Sequence, residues 1–536
     1  MTAAENLIAA MVRDFILRAG GGERIADICE KMLAEGQKGG VCARLAPEET
    51  AALRGKTPLI SEAPDASGSL ILDVGRDLLY TRRNWHYEDA IGRRIAEMAQ
   101  KRYDAALPDD ETLGDLNLND CQKEAVRGLI RNRFAIMTGG PGTGKTYTIA
   151  RAVKLIRDRQ PELRIGLAAP TGKAAARLNE AMQEAAESLQ LGEIAPATTL
   201  HSLLRPNPDL VTFKHDRDDP LDLDWLIVDE ASMVSLPLMA KLLDAIPENC
   251  RLTLVGDANQ LSSVDPGRVF GDLCDMKVVN DNGCKYALRE SRRFPPEGEI
   301  AKLAGAINGG DWENALALLK NGNDRKLHYI SLNDRDANTH FMDTVVKYFE
   351  PFRKCRTADE ALEKLNDCRI LCAVRQGRFG CETLNARVTA KLRRLDRECP
   401  IPIMITRNDP TLDVSNGDVG VVIPAAGDPE GMALSLRSEG REETRKTPLS
   451  LLPQRETAFA TTIHKAQGSE FRNVIIVLPK TEPGSPADAP LTRELLYTAL
   501  TRTGKGECFI YADDAAIRRC CENKTVRCTG LSVVGS

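Results

Sequence analysis

The chain has 536 residues, of which 42% are hydrophobic and 28% charged, and its net charge is −5. This length predicts about three or four domains, and the balanced composition is typical of a globular protein. The longest apolar runs, such as Val474–Pro479, are too short to span a membrane, and the amino terminus lacks a signal-peptide pattern, so we expect a cytoplasmic protein. The negative net charge argues against a uniformly basic DNA-coating protein but not against a basic DNA channel.

In residues 1–112 the pattern predicts a small helical domain: two helices, then a strand hairpin and an arginine-rich helix within residues 69–102. The acidic stretch Ala106–Asp115 predicts a linker. From Leu116 onward, short apolar runs alternate with helical patterns, which is typical of parallel sheets covered on both faces. The predicted strands are residues 134–138, 164–169, 225–229, 252–256, 369–374, 473–479 and 507–512.

Residues 400–453 break this alternation, because short apolar runs are separated there by Gly and Asp turns. We interpret this segment as a small antiparallel β insertion. The predicted domains are 1–112, 113–285 with a short insertion at about 205–222, and 286–536 with the β insertion. The fold class is therefore α/β.

The 15 cysteines form no CxxC pair, and their closest groupings are Cys368/Cys372 and the set Cys520, Cys521 and Cys528. A structural metal site requires tighter, repeated spacing. We interpret the cysteines as reduced thiols and leave the role of the carboxy-terminal group open.

A complete phosphate-binding loop follows the run 134–138 and precedes a helical pattern. Its glycines allow backbone N–H groups to surround phosphates, at a helix N-terminus that favours anions. We expect Lys145 to reach the β- and γ-phosphates of ATP and Thr146 to bind Mg²⁺. A plain glycine-rich turn is the alternative, which the strand–loop–helix context disfavours. The loop consists of Gly139, Gly140, Pro141, Gly142, Thr143, Gly144, Lys145 and Thr146.

Asp229 and Glu230 end another apolar run, and beside a phosphate-binding loop they predict nucleotide hydrolysis. Asp229 would be a second Mg²⁺ ligand, and Glu230 would polarise the attacking water; an acidic helix cap is the alternative. Gln260 follows a later strand and would contact the γ-phosphate and the water. Arg293 and Arg502 would clamp the transition state from the second domain.

Nine segments in this order resemble the motifs of superfamily 1 helicases, over roughly residues 113–530. The resemblance implies two RecA-like domains that bind ATP between them. The segments are LNDCQKEAV (118–126), the phosphate-binding loop, APTGKAAARL (169–178), TLHSLL (199–204), LIVDEAS, LVGDANQL, SRRF, TIHKAQGSEF (462–471) and YTALTRT (497–503).

Residues 371–385, 405–423, 494–502 and 526–531 are similar to RecD, the alpha-subunit family of exodeoxyribonuclease V. The resemblance implies 5′→3′ movement on single-stranded DNA at duplex ends, RecB-like and RecC-like partners, and an SH3-like identity for the β insertion. It implies that Gln122 reads adenine and that Glu470 lies near the nucleotide. The DNA-lining positions that it implies are Pro170, Thr171, Lys173, His201, Thr462, His464 and Lys465.

Other interpretations stay open: a free-standing RecD-like helicase, a docking subunit without ATPase activity, or an RNA helicase of the same superfamily. The amino-terminal region is short for the family, and we find no nuclease signature in the sequence. The segment between TLHSLL and the Asp-Glu pair is either a strand-separating hairpin, with Phe213 or His215 near its tip, or a plain surface loop.

Overall fold

The computed structural model describes most of the chain, and no helix in the described part is long and apolar enough to cross a membrane. The described residues are 3–18, 22–55, 58–62, 68–104, 107–192, 194–207, 212–321, 326–409, 411–412, 414–423, 433–437, 444–452, 454–480 and 491–531.

The amino-terminal region combines helices with a sheet, whereas the sequence predicted a helical domain with one hairpin. The predicted hairpin is confirmed, and two further short strands widen it to four strands in the order β1-β4-β3-β2. Sequence patterning missed these strands because they are only two or three residues long. The elements are α1 (Ala3–Arg18), α2 (Glu23–Gln37), β1 (Cys42–Arg44), α3 (Pro47–Leu53), β2 (Ile60–Ser61), β3 (Leu70–Asp73), β4 (Leu78–Thr81) and α4 (Arg82–Gln100).

Helix α4 fixes this region to the first parallel sheet. Its apolar face, which includes Ile91 and Ile95, shares one buried core with Phe134 and Ile136 of the next strand. In the predicted linker, Asp110–Asp115 form a short helix rather than an irregular segment. The amino-terminal region is therefore packed directly onto the first parallel sheet.

The first parallel sheet has six strands in the order β10-β5-β9-β8-β6-β7. Alternate residues face opposite cores: Phe134 and Ile136 on one side, Ala135 and Met137 on the other. Burial on both faces explains the continuous apolar runs. Strand β10 lies next to β5, past the predicted boundary at 285. The elements are α5 (Asp110–Asp115), α6 (Asp120–Arg131), β5 (Phe134–Gly139), α7 (Lys145–Arg157), β6 (Ile165–Ala169), α8 (Gly172–Leu189), β7 (Thr198–Thr199), α9 (Leu200–Leu204), β8 (Trp225–Val228), α10 (Leu236–Ala245), β9 (Arg251–Gly256), α11 (Val269–Asp275), α12 (Lys277–Asp281) and β10 (Lys285–Leu288).

The rest of the chain forms a second parallel sheet with an antiparallel sheet inserted in it. The parallel strands have the order β11-β20-β19-β12-β18, and the inserted strands have the order β16-β15-β14-β13-β17. The elements are α13 (Glu299–Gly309), α14 (Trp312–Asn321), β11 (Leu327–Ser331), α15 (Ala337–Tyr348), α16 (Glu350–Arg353), α17 (Ala358–Lys364), β12 (Cys368–Cys372), α18 (Cys381–Leu395), β13 (Ile401–Ile405), β14 (Val419–Val422), β15 (Ala433–Arg437), β16 (Thr444–Pro448), β17 (Arg455–Thr457), β18 (Ala460–Thr462), β19 (Asn473–Val477), α19 (Arg493–Leu500), β20 (Cys508–Ala512) and α20 (Asp514–Glu522).

Two helix-flanked parallel sheets confirm the predicted pair of RecA-like domains. The β insertion is antiparallel, as predicted, and its strands bury a small core of their own that includes Ile405, Val422 and Leu434. Its SH3-like identity stays a prediction, as do the exact domain boundaries.

The segment after α9 begins as a narrow antiparallel pair, in which Pro206 is bridged to Phe213. The backbone N–H of Asn207 donates to the carbonyl of Thr212 at 2.9 Å. Residues 208–211 lie outside the described part of the chain. Phe213 packs against the core of the first sheet, and the N–H of His215 donates to the carbonyl of Leu204 at 3.1 Å; that either residue lies near a hairpin tip stays a prediction.

The carboxy-terminal segment, Val526–Leu531, crosses from the second sheet back to the amino-terminal region. Arg527 donates to the carbonyls of Ser263, Asp265 and Gly267 at 2.9, 2.8 and 2.7 Å. Leu531 is fully buried in the core that α4 shares with the first sheet. The segment therefore joins the first RecA-like domain to the amino-terminal region.

Candidate active site

The phosphate-binding loop connects β5 to α7 and needs glycine at two points. Gly142 and Gly144 have φ angles of +77° and +83°, which residues with a Cβ adopt only under strain. A Cβ at Gly142 would lie 2.5 Å from the Cβ of Arg293. Lys145 Nζ donates to the carbonyls of Gly139 and Gly140 at 2.8 and 3.2 Å. The lysine is therefore held at the loop, where the N-terminus of α7 favours an anion.

Asp229 and Glu230 follow β8, which lies between β6 and β9. Burial and the neighbouring Glu230 raise the pKa of Asp229 to about 6, while the charge of Lys145 opposes this shift. Glu230 has a φ of +50°, a conformation that is uncommon for a residue with a side chain. Such backbone strain is often found at functional sites.

The donor set fits Mg²⁺. The hydroxyl of Thr146 and the carboxylate of Asp229 are the oxygen ligands that this ion prefers, and Mg²⁺ usually takes few protein ligands beside water and phosphate. Asp229 Oδ1 accepts the N–H of Glu230 at 2.8 Å, which orients the carboxylate. No cluster of three potential metal ligands occurs among the residues that the structure describes. When bound, the ion would neutralise phosphate charge.

A buried polar cluster lies where β9 ends. Asp257 accepts hydrogen bonds from Gln260 Nε2 at 3.2 Å and from the hydroxyl of Tyr497 at 2.9 Å. Because Tyr497 belongs to α19, the second bond joins the two RecA-like domains. The prediction that Gln260 contacts the γ-phosphate and the attacking water stays a prediction.

A second contact crosses the same cleft. The N–H of Leu261 donates to Thr498 Oγ1 at 2.9 Å, and its carbonyl accepts from Gln467 Nε2 at 2.7 Å. The residue that follows Gln260 is thus bound to both α19 and the loop after β18. Movement of the second domain should therefore shift the position of Gln260.

Arg293 lies where the chain passes from the first sheet to the second domain, beside Phe294, which packs against the core of the second sheet. It follows β10 of the first sheet, and its neighbours are tied to the phosphate-binding loop. The N–H of Arg292 donates to Gly142 O at 2.9 Å, and Ser291 Oγ donates to Pro141 O at 2.8 Å. That Arg293 clamps the transition state stays a prediction.

Arg502 does belong to the second domain and is only 3% exposed. Its guanidinium donates to the carbonyls of Thr498 and Ser469 at 3.1 and 3.2 Å. Burial lowers the pKa of Arg502, and the negative charges of Glu230 and Asp257 partly offset this effect. Within the described part of the chain no carboxylate forms an ion pair with Arg502. A buried guanidinium bonded only to neutral groups favours an incoming anion.

Glu470 contacts two arginines from the first sheet. Its Oε2 atom lies 2.6 Å from Arg293 Nη2 and 3.0 Å from Arg177 Nη2. One of these arginines, Arg293, abuts Gly142 of the phosphate-binding loop, and that Glu470 lies near the nucleotide stays a prediction. Arg177 was not predicted as a site residue.

Gln122 is already bonded at both ends of its amide. Its Oε1 atom accepts the N–H of Asn119 at 3.1 Å, and its Nε2 atom donates to the carbonyl of Thr143 at 3.3 Å. The first contact caps α6, and the second supports the phosphate-binding loop. That Gln122 reads adenine stays a prediction, since it would require these bonds to rearrange.

The predicted DNA contacts of the first domain follow two neighbouring strands. Pro170 comes directly after β6, and Thr171 caps α8 by accepting the N–H of Ala174 at 3.2 Å. His201 follows β7, which pairs with β6, and its side chain is exposed. Because parallel strands end at one edge, these residues lie on the same rim of the sheet.

The second-domain candidates lie on the loop after β18. Burial and the charge of Arg527 lower the pKa of His464. Lys465 is exposed, and its Nζ atom lies 2.6 Å from a carboxylate oxygen of Glu456. Thr462 Oγ1 accepts the N–H of Lys465 at 3.4 Å. These side chains form a mixed polar rim, and their contacts with DNA stay a prediction.

A cation–π contact joins the two rims. Lys173 Nζ lies 5.6 Å from the ring centroid of Phe471, at the end of the same loop. A cation near an aromatic face is stabilised by the ring quadrupole. The candidates of both domains are therefore brought to one side of the cleft.

Sequence reasoning missed the polar residues that connect the domains. Tyr497 and Thr498 offered a signal, because they are hydroxyl-bearing residues on the mostly apolar helix α19, whereas Asp257, Gln467 and Arg527 lie on loops. The missed residues are Arg177, Asp257, Gln467, Tyr497, Thr498 and Arg527.

Comparison with known proteins gives matches to both RecA-like domains. Residues 122–266 match the AAA domain family, and residues 457–509 match the UvrD-like helicase C-terminal domain family. The solved Pif1 helicase of Candida albicans has a TM-score of 0.40 and 15% identity, covering 74% of this chain and 94% of that one. That likeness is too low to inform the function.

Whole-chain relatives are more informative. The RecBCD enzyme subunit RecD of Mycolicibacterium smegmatis is 37% identical over 507 residues, covering 90% of this chain and 86% of that protein. The RecBCD enzyme subunit RecD of Haemophilus influenzae is 32% identical over 528 residues, covering 84% of this chain and 79% of that protein. The ATP-dependent RecD2 DNA helicase of Deinococcus radiodurans is 29% identical and covers 72% of this chain but 48% of that protein. Identity at this level over most of both chains shows that this protein belongs to the RecD family.

Proposed function

We propose that this protein is an ATP-dependent DNA helicase that acts as the RecD subunit of a RecBCD-type complex in double-strand break repair and recombination. The observation that carries the proposal is the complete nucleotide site between two RecA-like domains. Lys145 and Arg293 lie at the phosphate-binding loop, whereas the buried Arg502 comes from the opposite domain.

Hydrolysis at this site would depend on positioning and charge. Lys145 and Arg502 would neutralise the phosphates, and Glu230 would orient the attacking water. Thr146 and Asp229 would hold Mg²⁺. Because charged groups of both domains face the phosphates, ATP would favour a closed cleft and ADP an open one. Repeated closure would advance the chain along single-stranded DNA, in the 5′→3′ direction that the family resemblance implies.

The first test is the ATPase rate with and without single-stranded DNA for the wild type and Lys145→Gln. We expect strong stimulation by DNA and its loss in the variant. Lys154→Gln is a matched control, since Lys154 lies on the same helix but pairs with Asp158 at 2.6 Å. Stimulation that survives in Lys145→Gln would refute the assigned site. No hydrolysis by the wild type alone would favour the docking-subunit interpretation or an obligatory complex.

Three further comparisons separate the remaining interpretations. Stimulation by DNA but not by RNA would exclude the RNA helicase. Strand displacement from a duplex with a 5′ tail but not a 3′ tail would establish direction. Co-purification with RecB-like and RecC-like subunits from native lysate would support the subunit, whereas a monomer would support a free-standing helicase. The isolated chain is expected not to cut DNA, because no nuclease signature was found in the sequence.

A further inference from the structure

Arg177 connects the two RecA-like domains at the cleft. It lies on α8 of the first domain, yet its guanidinium contacts the loop after β18 of the second. One N–H donates to the carbonyl of Gly468 at 2.8 Å, and another donates to Glu470 Oε2 at 3.0 Å. Two directed bonds from a planar guanidinium fix the loop relative to the helix better than one bond could.

The carboxylate that Arg177 binds is shared. Glu470 Oε2 also lies 2.6 Å from Arg293 Nη2, so one negative charge faces two positive ones. Arg293 abuts Gly142 of the phosphate-binding loop. The γ-phosphate of ATP would therefore compete with Glu470 for the guanidinium of Arg293. The strength with which Glu470 holds Arg293 therefore depends on what else Glu470 binds.

The helix that carries Arg177 begins with two predicted DNA contacts. Thr171 caps α8, and Lys173 lies within reach of Phe471, the residue after Glu470. A DNA strand bound across this surface would contact both α8 and the loop after β18. Any relative shift of the two would change the contact between Arg177 and Glu470, since the helix moves as a rigid element.

We propose that Arg177 is a positioning residue that couples DNA binding to ATP hydrolysis. When DNA is engaged, Arg177 holds Glu470 and leaves Arg293 available to the γ-phosphate. Without Arg177, Glu470 keeps Arg293 and hydrolysis responds poorly to DNA. This inference rests on the proposed function, because it requires an ATPase that DNA stimulates.

The test measures kcat and KM for ATP with and without oligothymidylate. For Arg177→Ala we expect the DNA stimulation of kcat to fall about tenfold, within the usual range of coupling between two sites. Arg177→Lys should keep part of it, because a lysine replaces one of the two bonds. Glu180→Gln is the matched control, since Glu180 is exposed on the same helix, and it should match the wild type.

A second variant separates coupling from a structural role. Adding Glu470→Gln to Arg177→Ala removes the competing charge, so kcat should recover and no longer depend on DNA. A merely structural role of Arg177 would give no such recovery.

The inference would be overturned if DNA stimulates the kcat of Arg177→Ala to within about twofold of the wild type, because coupling between sites usually exceeds that factor. Loss without recovery in the double variant would overturn it too. If Arg177→Ala fails to fold, the same comparison can be made between Arg177→Lys and the double variant Arg177→Lys with Glu470→Gln. A wild type that DNA does not stimulate would instead refute the proposed function.

Discussion

The hydrogen bond between Tyr497 and Asp257 gives the clearest prediction about closure of the cleft. The hydroxyl of Tyr497 donates to Asp257 Oδ2 at 2.9 Å, and both side chains are buried. Burial raises the pKa of Asp257, whereas Lys145 and the hydrogen-bond donors oppose this effect. Tyr497→Phe removes one of these donors without changing the shape of the ring.

The magnitude follows from the burial of the acceptor. A hydrogen bond to a charged group contributes about 1.5–3 kcal/mol, and an unpaired buried acceptor is destabilising by a similar amount. When the cleft opens, water can replace the tyrosine, so the loss falls mainly on the closed form. At about 1.4 kcal/mol per factor of ten, closure should weaken by roughly 10- to 150-fold.

The assay is kcat of the DNA-stimulated ATPase at saturating ATP and DNA. Tyr497→Phe should lower it about tenfold or more if closure limits the rate. Tyr511→Phe is the matched control: the hydroxyl of Tyr511 donates to Thr344 Oγ1 at 2.9 Å, entirely within the second domain. That control should change stability but not kcat.

A double variant checks the cause. Asp257→Asn should reduce kcat, and adding Tyr497→Phe to it should have little further effect, because both changes act on the same bond. Additive losses, or a kcat of Tyr497→Phe within about twofold of the wild type, would refute the role of this bond in closure.

Three other predictions concern stability and DNA affinity. Burial raises the pKa of Asp272 to about 7, so the stability that its protonated form provides is fully present below the unfolded pKa of about 4 and is lost as pH rises from there through 7. Asp272→Asn should therefore raise the free energy of unfolding by up to about 4 kcal/mol at pH 8, by about 1.5 kcal/mol at pH 5 and not at all at pH 3. A methyl group at Gly128 would overlap the ring of Tyr286, so Gly128→Ala should destabilise the chain by about 1–3 kcal/mol in urea unfolding, and Tyr286→Ala should relieve part of this loss. Glu456→Gln should free Lys465, tighten single-strand binding and steepen its salt dependence by about 0.7 in log–log slope; an unchanged slope would exclude a phosphate contact of that lysine.

Two parts of the nucleotide site could be located in the sequence because each is a short contiguous motif. The phosphate-binding loop and the Asp229-Glu230 pair each follow an apolar strand, so local pattern alone locates them. Edge strand β10 was missed because it carries Lys285 and a half-exposed tyrosine instead of an apolar run. That omission placed the predicted domain boundary, at residue 285, inside the first sheet.

Contacts between distant residues could not be predicted from local pattern. Arg177 and Glu470 are 293 positions apart, and Tyr497 and Asp257 are 240 apart. Their pairing follows from how two sheets face each other, which no periodicity in the sequence encodes. For the same reason the carboxy-terminal cysteine group remained unexplained: Cys528 Sγ lies 3.4 Å from Cys42 Sγ, in the amino-terminal sheet.

The carboxy-terminal segment also constrains the order of folding. Val41 donates its N–H to the carbonyl of Cys528 at 2.8 Å, and Glu88 accepts from Thr529 and from the N–H of Gly530. These partners leave the ribosome more than four hundred residues apart, and contacts of such separation form late. Until residues 526–531 have been synthesised, the core below α4 lacks Leu531, and Glu88 lacks both donors. A nascent chain therefore exposes an unfinished surface for most of its synthesis, which a chaperone or a partner subunit could cover.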